Sequence, residues 1–322
     1  MKKMSKKKLI FKIVFITVLV IVLGVGAYAY SIYDNVKEVV DTEMHQPIAS
    51  IDDNTVAKVE KKVKKGLEPI NILLMGVDEN EYDRGRADTL IVLSLNPNID
   101  SIQLISIPRD TRTEIGDTGT FTKINAAYFY GGADLTVATV EKMLDFDFDY
   151  YVKLNFNALT DLVDALGGIT VDNPVEWYDS GYYKKGYHYA EGEIELDGEQ
   201  TLGFVRMRKQ DPDGDFGRNK RQRIAIQAII DKGASLGSVT KINDILEVLG
   251  NNMATNLTFD EMKDLFLNYK STRHNIETYQ VQGYGGFVDD LWYYIVPNEE
   301  RQNIKTVIEE FNQREEIEEA SS

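Results

Sequence analysis

The sequence predicts an α/β fold: a mixed central β-sheet flanked by α-helices on both faces, a three-layer αβα arrangement, behind an N-terminal transmembrane helix. Three observations carry this. Strand-like apolar runs alternate with segments of helical period between residues 67 and 312. Two of those runs are joined by Asn96-Pro97-Asn98, a turn tight enough for an antiparallel pair, which makes the sheet mixed. Ile13–Tyr33 holds 21 residues without a charge, enough at ~1.5 Å per residue to cross a ~30 Å hydrocarbon core.

The elements follow in order. Residues 1–12 carry six lysines and no acid and form a cytoplasmic basic tail. Residues 13–33 are the membrane span, with Tyr28, Tyr30 and Tyr33 suited to its far interface. A cleaved signal peptide competes with this reading, but its apolar region is normally shorter. Residues 34–66 have helical spacing and few large apolar groups, as in an extracellular stalk. The domain then opens at 67. Strands are expected at 69–78, 88–97, 101–110 and 150–156, a short one after Gly168, and a late one at 276–286. Helices are expected at 133–145, 157–168, 218–235, 239–250, 258–269 and 298–312. The Tyr- and Gly-rich stretch 176–200 reads as loops and short hairpins, and 201–208 as the lead into a strand. Residues 313–322 form an acidic flexible tail.

Composition narrows the function. The chain has 36 Lys+Arg against 52 Asp+Glu, a net charge of −16. An acidic exterior domain is a poor binder of nucleic acid, so no nucleic-acid partner is expected. There is no cysteine, which removes disulfides and thiol chemistry. The three histidines, His45, His188 and His274, have no zinc spacing. Neither a G-x-S-x-G elbow nor a Walker A loop occurs.

Against that background, residues 206–223 hold seven Lys/Arg in eighteen positions. If 206–208 is strand, Arg206 and Arg208 share a face. Arg218 and Gln222 are four apart and share a helix face. Asp215 is placed to cap that helix or to orient an arginine. Such a cluster can close on one strongly anionic group, because guanidinium forks match phosphate oxygens. A solvated basic face is the competing reading, and Lys209, Lys220 and Arg223 are assigned to it, with Arg221 left open. Upstream, Asp78 ends a strand and Asp88 opens the next, two hard oxygen ligands of the kind Mg²⁺ shares with a phosphate, or two turn residues. Arg109 sits in a rigid Ile-Pro-Arg-Asp context, for phosphate or for a surface ion pair. Lys123 lies among apolar neighbours and can snorkel.

The segments ILLMGVD, GRADTLIVLSLNP, LISIPRDT, KINAAYFYGG, DYYVKLNFNALTDLVDALGGITVD, LDGEQTLGFVRMR and DGDFGRNKRQR together resemble the LytR–CpsA–Psr family over about residues 70–235. The resemblance implies a membrane-anchored enzyme of a Gram-positive cell wall. It would be a single-pass protein with a cytoplasmic N-terminus and an extracellular catalytic domain. Its implied reaction moves a glycopolymer, such as teichoic acid or capsular polysaccharide, from an undecaprenyl-pyrophosphate carrier to the muramic acid 6-hydroxyl of peptidoglycan, as a phosphodiester. It further implies Mg²⁺ on Asp78 and Asp88, and a pyrophosphate held by Arg86, Arg109, Lys123, Arg206, Arg208, Arg218 and Gln222. Asp78, Arg109, Arg206 and Asp215 are the expected catalytic residues, with Asp78 or Asp215 as the base. Two other functions fit the same residues: a non-enzymatic wall-binding or regulatory module, and a polyprenyl-pyrophosphate phosphatase that uses water as acceptor.

Overall fold

The computed structural model describes residues 33–51, 68–79, 83–235, 245–246 and 248–315. Its centre is a six-stranded mixed sheet. The strands are β1 (Ile70–Val77), β2 (Ala87–Asn96), β3 (Ser101–Ser106), β6 (Tyr150–Asn155), β11 (Met253–Thr255) and β12 (Asn275–Gln280), in spatial order β11-β6-β1-β2-β3-β12. Two short antiparallel pairs lie outside this sheet, β4 (Arg112–Glu114) with β5 (Phe121–Lys123) and β8 (Trp177–Tyr178) with β9 (His188–Tyr189). β1 runs parallel to β6 and antiparallel to β2, and β2 and β3 form the expected hairpin across a 3₁₀ turn at Pro97–Ile99.

Both faces of the sheet are apolar, so both are covered. Leu73, Met75, Leu90 and Val92 meet Val137 and Val140 of α1 (Ala126–Leu144) and Ile304 and Ile308 at the far end of the chain. On the opposite face Ile91, Leu93 and Leu104 meet Ile226 and Ile230, while Ile72 meets Met262 and Leu265. The predicted three layers are therefore present. A satellite core beside the sheet joins α2 (Phe156–Ala165), β7 (Ile169–Asn173), β10 (Gly192–Leu196), α3 (Gly198–Arg206) and α4 (Asp215–Ser235) around Trp177, Tyr189 and Phe204.

Four expectations change. Residues 201–206 are helical, not a lead into strand, because Asp197 and Gln200 make a capping box that starts α3. Arg206 and Arg208 therefore do not share a strand face. The first predicted helix begins earlier, at Ala126, and bends at Gly132, whose φ is +67°. The late strand 276–286 is two strands, β12 and then β13 (Tyr284–Val288), which pairs with β14 (Leu291–Ile295) as a separate hairpin.

The fourth change is at the start. The segment expected to be a stalk begins as a helical stretch, 33–44, docked on the body. Val36, Val40 and Met44 are buried with Phe259 and Ala158. Lys37 Nζ lies 2.7 Å from Asp260 Oδ2, and the Tyr33 ring meets Phe259 edge-on at 5.1 Å. Residues 13–32 of the predicted span, most of the remaining stalk and most of the predicted helix 239–250 lie outside the described residues. Among the described residues, no helix is long and apolar enough to cross a membrane.

Candidate functional site

The site forms at the carboxyl ends of the parallel strands β1 and β6, the side of an open α/β sheet where ligands usually bind. Two local features aim the acids. Gly76 faces Thr89 so closely that a Cβ would lie 2.9 Å from the Thr89 Cβ. The next pair in register is Val77 with Ala87, so Asp88 is the extra residue of a β-bulge, a device that re-aims a side chain. Asp78 follows directly, and its Oδ1 accepts the Arg86 backbone N–H at 2.5 Å. Gly85 makes that contact possible: its φ is +71°, and a Cβ there would sit 2.5 Å from the same oxygen.

The cations come from three other places. Arg109, in the loop after β3, donates through Nη1 to Asp88 Oδ2 at 2.7 Å, and Asn125 donates to Asp88 Oδ1 at 3.1 Å. Asp215, at the first residue of α4, is the hub of the rest. Its Oδ1 lies 2.8 Å from Arg218 Nη2, 3.3 Å from Arg208 Nε and 4.0 Å from Arg109 Nη2. Arg206, at the end of α3, is placed by aromatic faces instead, 4.5 Å from the Phe156 ring centroid and 5.2 Å from that of Tyr182.

Three guanidiniums around one carboxylate leave excess positive charge. Burial lowers the Arg218 pKa; Asp215 opposes this and Arg109 adds to it. For Arg109 burial also pulls downward, but Asp88, Asp215 and Asp110 outweigh it and the net shift is upward. Arg218 Nε and Arg109 Nε are buried without a hydrogen bond among the described residues. Buried guanidinium donors in that state call for an anion.

These groups line one end of a cavity of about 680 Å³. Asp78, Asp88, Arg109, Arg206, Arg208, Arg218 and Gln222 all border it. Much of the remaining wall is apolar, with Leu154, Phe156, Leu159, Val205, Ile226 and Ile229 from β6, α2, α3 and α4, while Thr89, Asn155, Lys209 and Asp211 also border it. The cavity thus suits a ligand with a compact anionic head and a hydrocarbon body.

Two predicted contacts are absent from the cavity. Arg86 is exposed, and it is its backbone that holds Asp78. Lys123 pairs with Asp110 at 2.8 Å, one residue beyond Arg109. Two assignments within the basic run also change. Arg221, left open above, is fully buried: it donates to the Phe204 and Met207 carbonyls, pairs with Asp211 and stacks on Trp177. Arg223 is half-buried and donates to Ser106 at 2.9 Å, so it is not a solvated edge. The sequence reading missed Phe156 and Tyr182. Phe156 follows the helix cap Asn155 at a strand end, which is a usable signal. Tyr182 sits in a loop with no local pattern.

The carboxylates can be tested against a metal. Asp78 and Asp88 both border the cavity, and two carboxylates are what Mg²⁺ takes when phosphate and water complete its shell. Among the described residues there is no cluster of three or more Asp, Glu, His or Cys fit to hold an ion alone. These two carboxylates would suit only a cation that a phosphate ligand helped to hold, and Asp88 already accepts from Arg109 and Asn125.

Known proteins resemble this chain in sequence and in fold. The LytR_cpsA_psr family matches residues 30–310. The polyisoprenyl-teichoic acid–peptidoglycan teichoic acid transferase TagU of Bacillus cereus (strain AH820) is 45% identical over 300 residues, 93% of this chain and 96% of the relative. The crystal structure of B. subtilis TagU superposes with a TM-score of 0.62 at 41% identity, over 78% of this chain and 99% of that one. TagT bound to LIIa-WTA superposes at 0.65 and 31% identity, over 77% and 92%.

Proposed function

The chain belongs to the LytR_cpsA_psr family, and from that premise we propose that it transfers a polyprenyl-pyrophosphate-linked glycopolymer, of the teichoic acid class, to peptidoglycan. The observation that carries the reading is the cavity itself, with an arginine cluster and two acids at one end and an apolar wall at the other. A pyrophosphate fits the first and a prenyl chain the second.

The reaction asks for charge neutralisation more than for a covalent nucleophile. The acceptor hydroxyl, the muramic acid 6-hydroxyl, attacks the phosphorus that bears the glycopolymer. The P–O bond to the bridging oxygen breaks, polyprenyl phosphate departs and a phosphodiester remains. Arg109, Arg208 and Arg218 are held by Asp88 and Asp215 at set positions, so their donors need little reorganisation as charge builds on the leaving phosphate. Arg206, clamped between Phe156 and Tyr182, adds a fourth cation, and Gln222 adds a neutral donor. Asp215 is committed to three guanidiniums, whereas Asp78 spends only Oδ1, on a backbone N–H, so of the two acids Asp78 has an oxygen left for the proton, at a basicity that a shared Mg²⁺ would lower. Asp78 and Asp88 would hold Mg²⁺, which when bound neutralises phosphate oxygens. Leu154, Leu159, Ile226 and Ile229 line the path of the prenyl chain. The apolar run up to residue 32, just before Tyr33 docks on the body, would anchor the protein in the cell membrane with the catalytic domain outside.

The test uses the full-length protein with a polyprenyl-pyrophosphate glycolipid, peptidoglycan and Mg²⁺. Joint appearance of polyprenyl monophosphate and glycan-linked polymer is expected, with both lost in Arg206→Ala and on chelation. Monophosphate release that ignores peptidoglycan indicates a phosphatase. Wild-type turnover by Arg206→Ala sinks the assignment of the cluster.

A further inference from the structure

The cavity accounts for the donor but leaves the acceptor without a surface. One candidate stands beside it. The hairpin β13–β14 pairs with no other strand among the described residues. Its turn is Asp289-Asp290, both with positive φ, 50° and 63°, the backbone of a tight hairpin turn. Near this tip Phe287 is 75% exposed and Trp292 40%, on one face of the hairpin; Leu291, 56% exposed, and Tyr284, 60% exposed at the open end, lie on the other face. Phe287 and Trp292 are direct cross-strand partners. The Trp292 indole lies over Gly285, where a Cβ would come within 2.9 Å of Cζ2, so the glycine leaves room for the ring.

The base of the hairpin is tied to the arginine cluster. Tyr294 N donates to the Asp110 carbonyl at 2.9 Å, next to Arg109. The Tyr294 ring meets Phe216 edge-on at 5.5 Å, and Phe216 follows Asp215. The exposed aromatic pair is two residues from that base, about 7 Å along the strands. A molecule lying on it continues toward the phosphate end of the cavity.

Its chemistry selects the occupant. Residues 284–295 contain two carboxylates and no cation, and Arg112, 5.9 Å from the Tyr293 ring centroid, meets the hairpin on the face opposite Phe287 and Trp292. An anionic membrane surface favours Lys and Arg beside the apolar groups, so the pattern is wrong for lipid headgroups. A sugar ring offers an apolar C–H face to an aromatic ring and hydroxyl donors to carboxylates at its edge. Exposed aromatic groups set side by side, as Phe287 and Trp292 are, mark binding surfaces. We propose that this hairpin is the docking platform for the glycan strand of the acceptor, with Phe287 and Trp292 stacking on sugar rings and Asp289 and Asp290 accepting their hydroxyls. The proposal rests on the transferase reading for its purpose, but not for its test.

The experiment compares full-length wild type with F287A/W292A. Binding to isolated peptidoglycan strands, with no donor present, is expected to weaken about tenfold at unchanged melting temperature. In the transfer assay the acceptor KM rises by a similar factor while the donor KM stays. Equal strand binding by wild type and variant overturns the proposal. So does loss of phosphatidylglycerol vesicle binding by the variant with strand binding intact. If wild type binds strands through the hairpin but transfers nothing, the platform stands and the transferase reading falls.

Discussion

Arg109 Nη1 lies 2.7 Å from Asp88 Oδ2, which joins the acidic and the basic halves of the site through one ion pair. Loss of either partner should therefore resemble loss of both. Arg109→Ala and Asp88→Asn are each expected to lower kcat/KM for donor turnover by about 100-fold or more, and the double variant little further. Arg109→Lys keeps the charge but not the fork and should recover only part. Steady-state kinetics check this, and simple additivity would separate the two roles.

Arg206 is held by ring faces and by no ion pair among the described residues. Phe156→Ala and Tyr182→Ala should each lower turnover about three- to tenfold, the worth of a partly desolvated cation–π contact. Tyr182→Phe keeps the ring and should behave as wild type.

Two arginines three residues apart should part company. Arg221 is buried against Asp211 and two carbonyls, so Arg221→Ala is expected to cost about 3–5 kcal/mol in denaturant unfolding. Arg218 faces the cavity in a crowd of like charge, and Arg218→Ala should abolish turnover while the protein stays folded. Circular dichroism beside activity distinguishes them.

Val36, Val40 and Met44 are each buried against the body, at about 1.5–3 kcal/mol per side chain. A soluble fragment beginning at residue 67 should melt well below one beginning at residue 33. Equal melting temperatures would mean that the docked helical stretch contributes nothing.

Burial raises the Glu141 carboxyl from 4.5 to about 7; the Phe148 N–H it accepts opposes this, and Asp147 and Asp134 add to it. The neutral form is favoured in the fold, so its contribution is complete below about pH 4.5 and is lost as pH rises through 7. Glu141→Gln keeps the acceptor and removes the charge. It should match wild type in melting temperature at pH 4 and exceed it at pH 8, with the gap opening between.

The hairpin 88–106, α2, α5 (Phe259–Asn268) and α6 (Asn298–Gln313) follow from the residues alone, because a period of 2 or 3.6 is written locally. The three layers follow in turn, since a sheet apolar on both faces must be covered twice. Where local signals conflicted, sequence reading erred. The apolar run LGFV looked like strand, while the Asp197–Gln200 box beside it was the stronger instruction. Tertiary burial, absent from any local period, made the first part of the expected stalk a docked helix.

The sequence by itself determined which residue types stand at strand and helix ends, and so that arginines and carboxylates were available to build one site. Only the tertiary structure decided which charges meet. Arg218, Arg221 and Arg223 are near neighbours in sequence, yet one borders the cavity, one is sealed against Asp211 and one reaches Ser106. A charge run specifies valence, not direction. Direction comes from the helix phase, the β-bulge at Asp88 and the carboxylates that packing brings within reach.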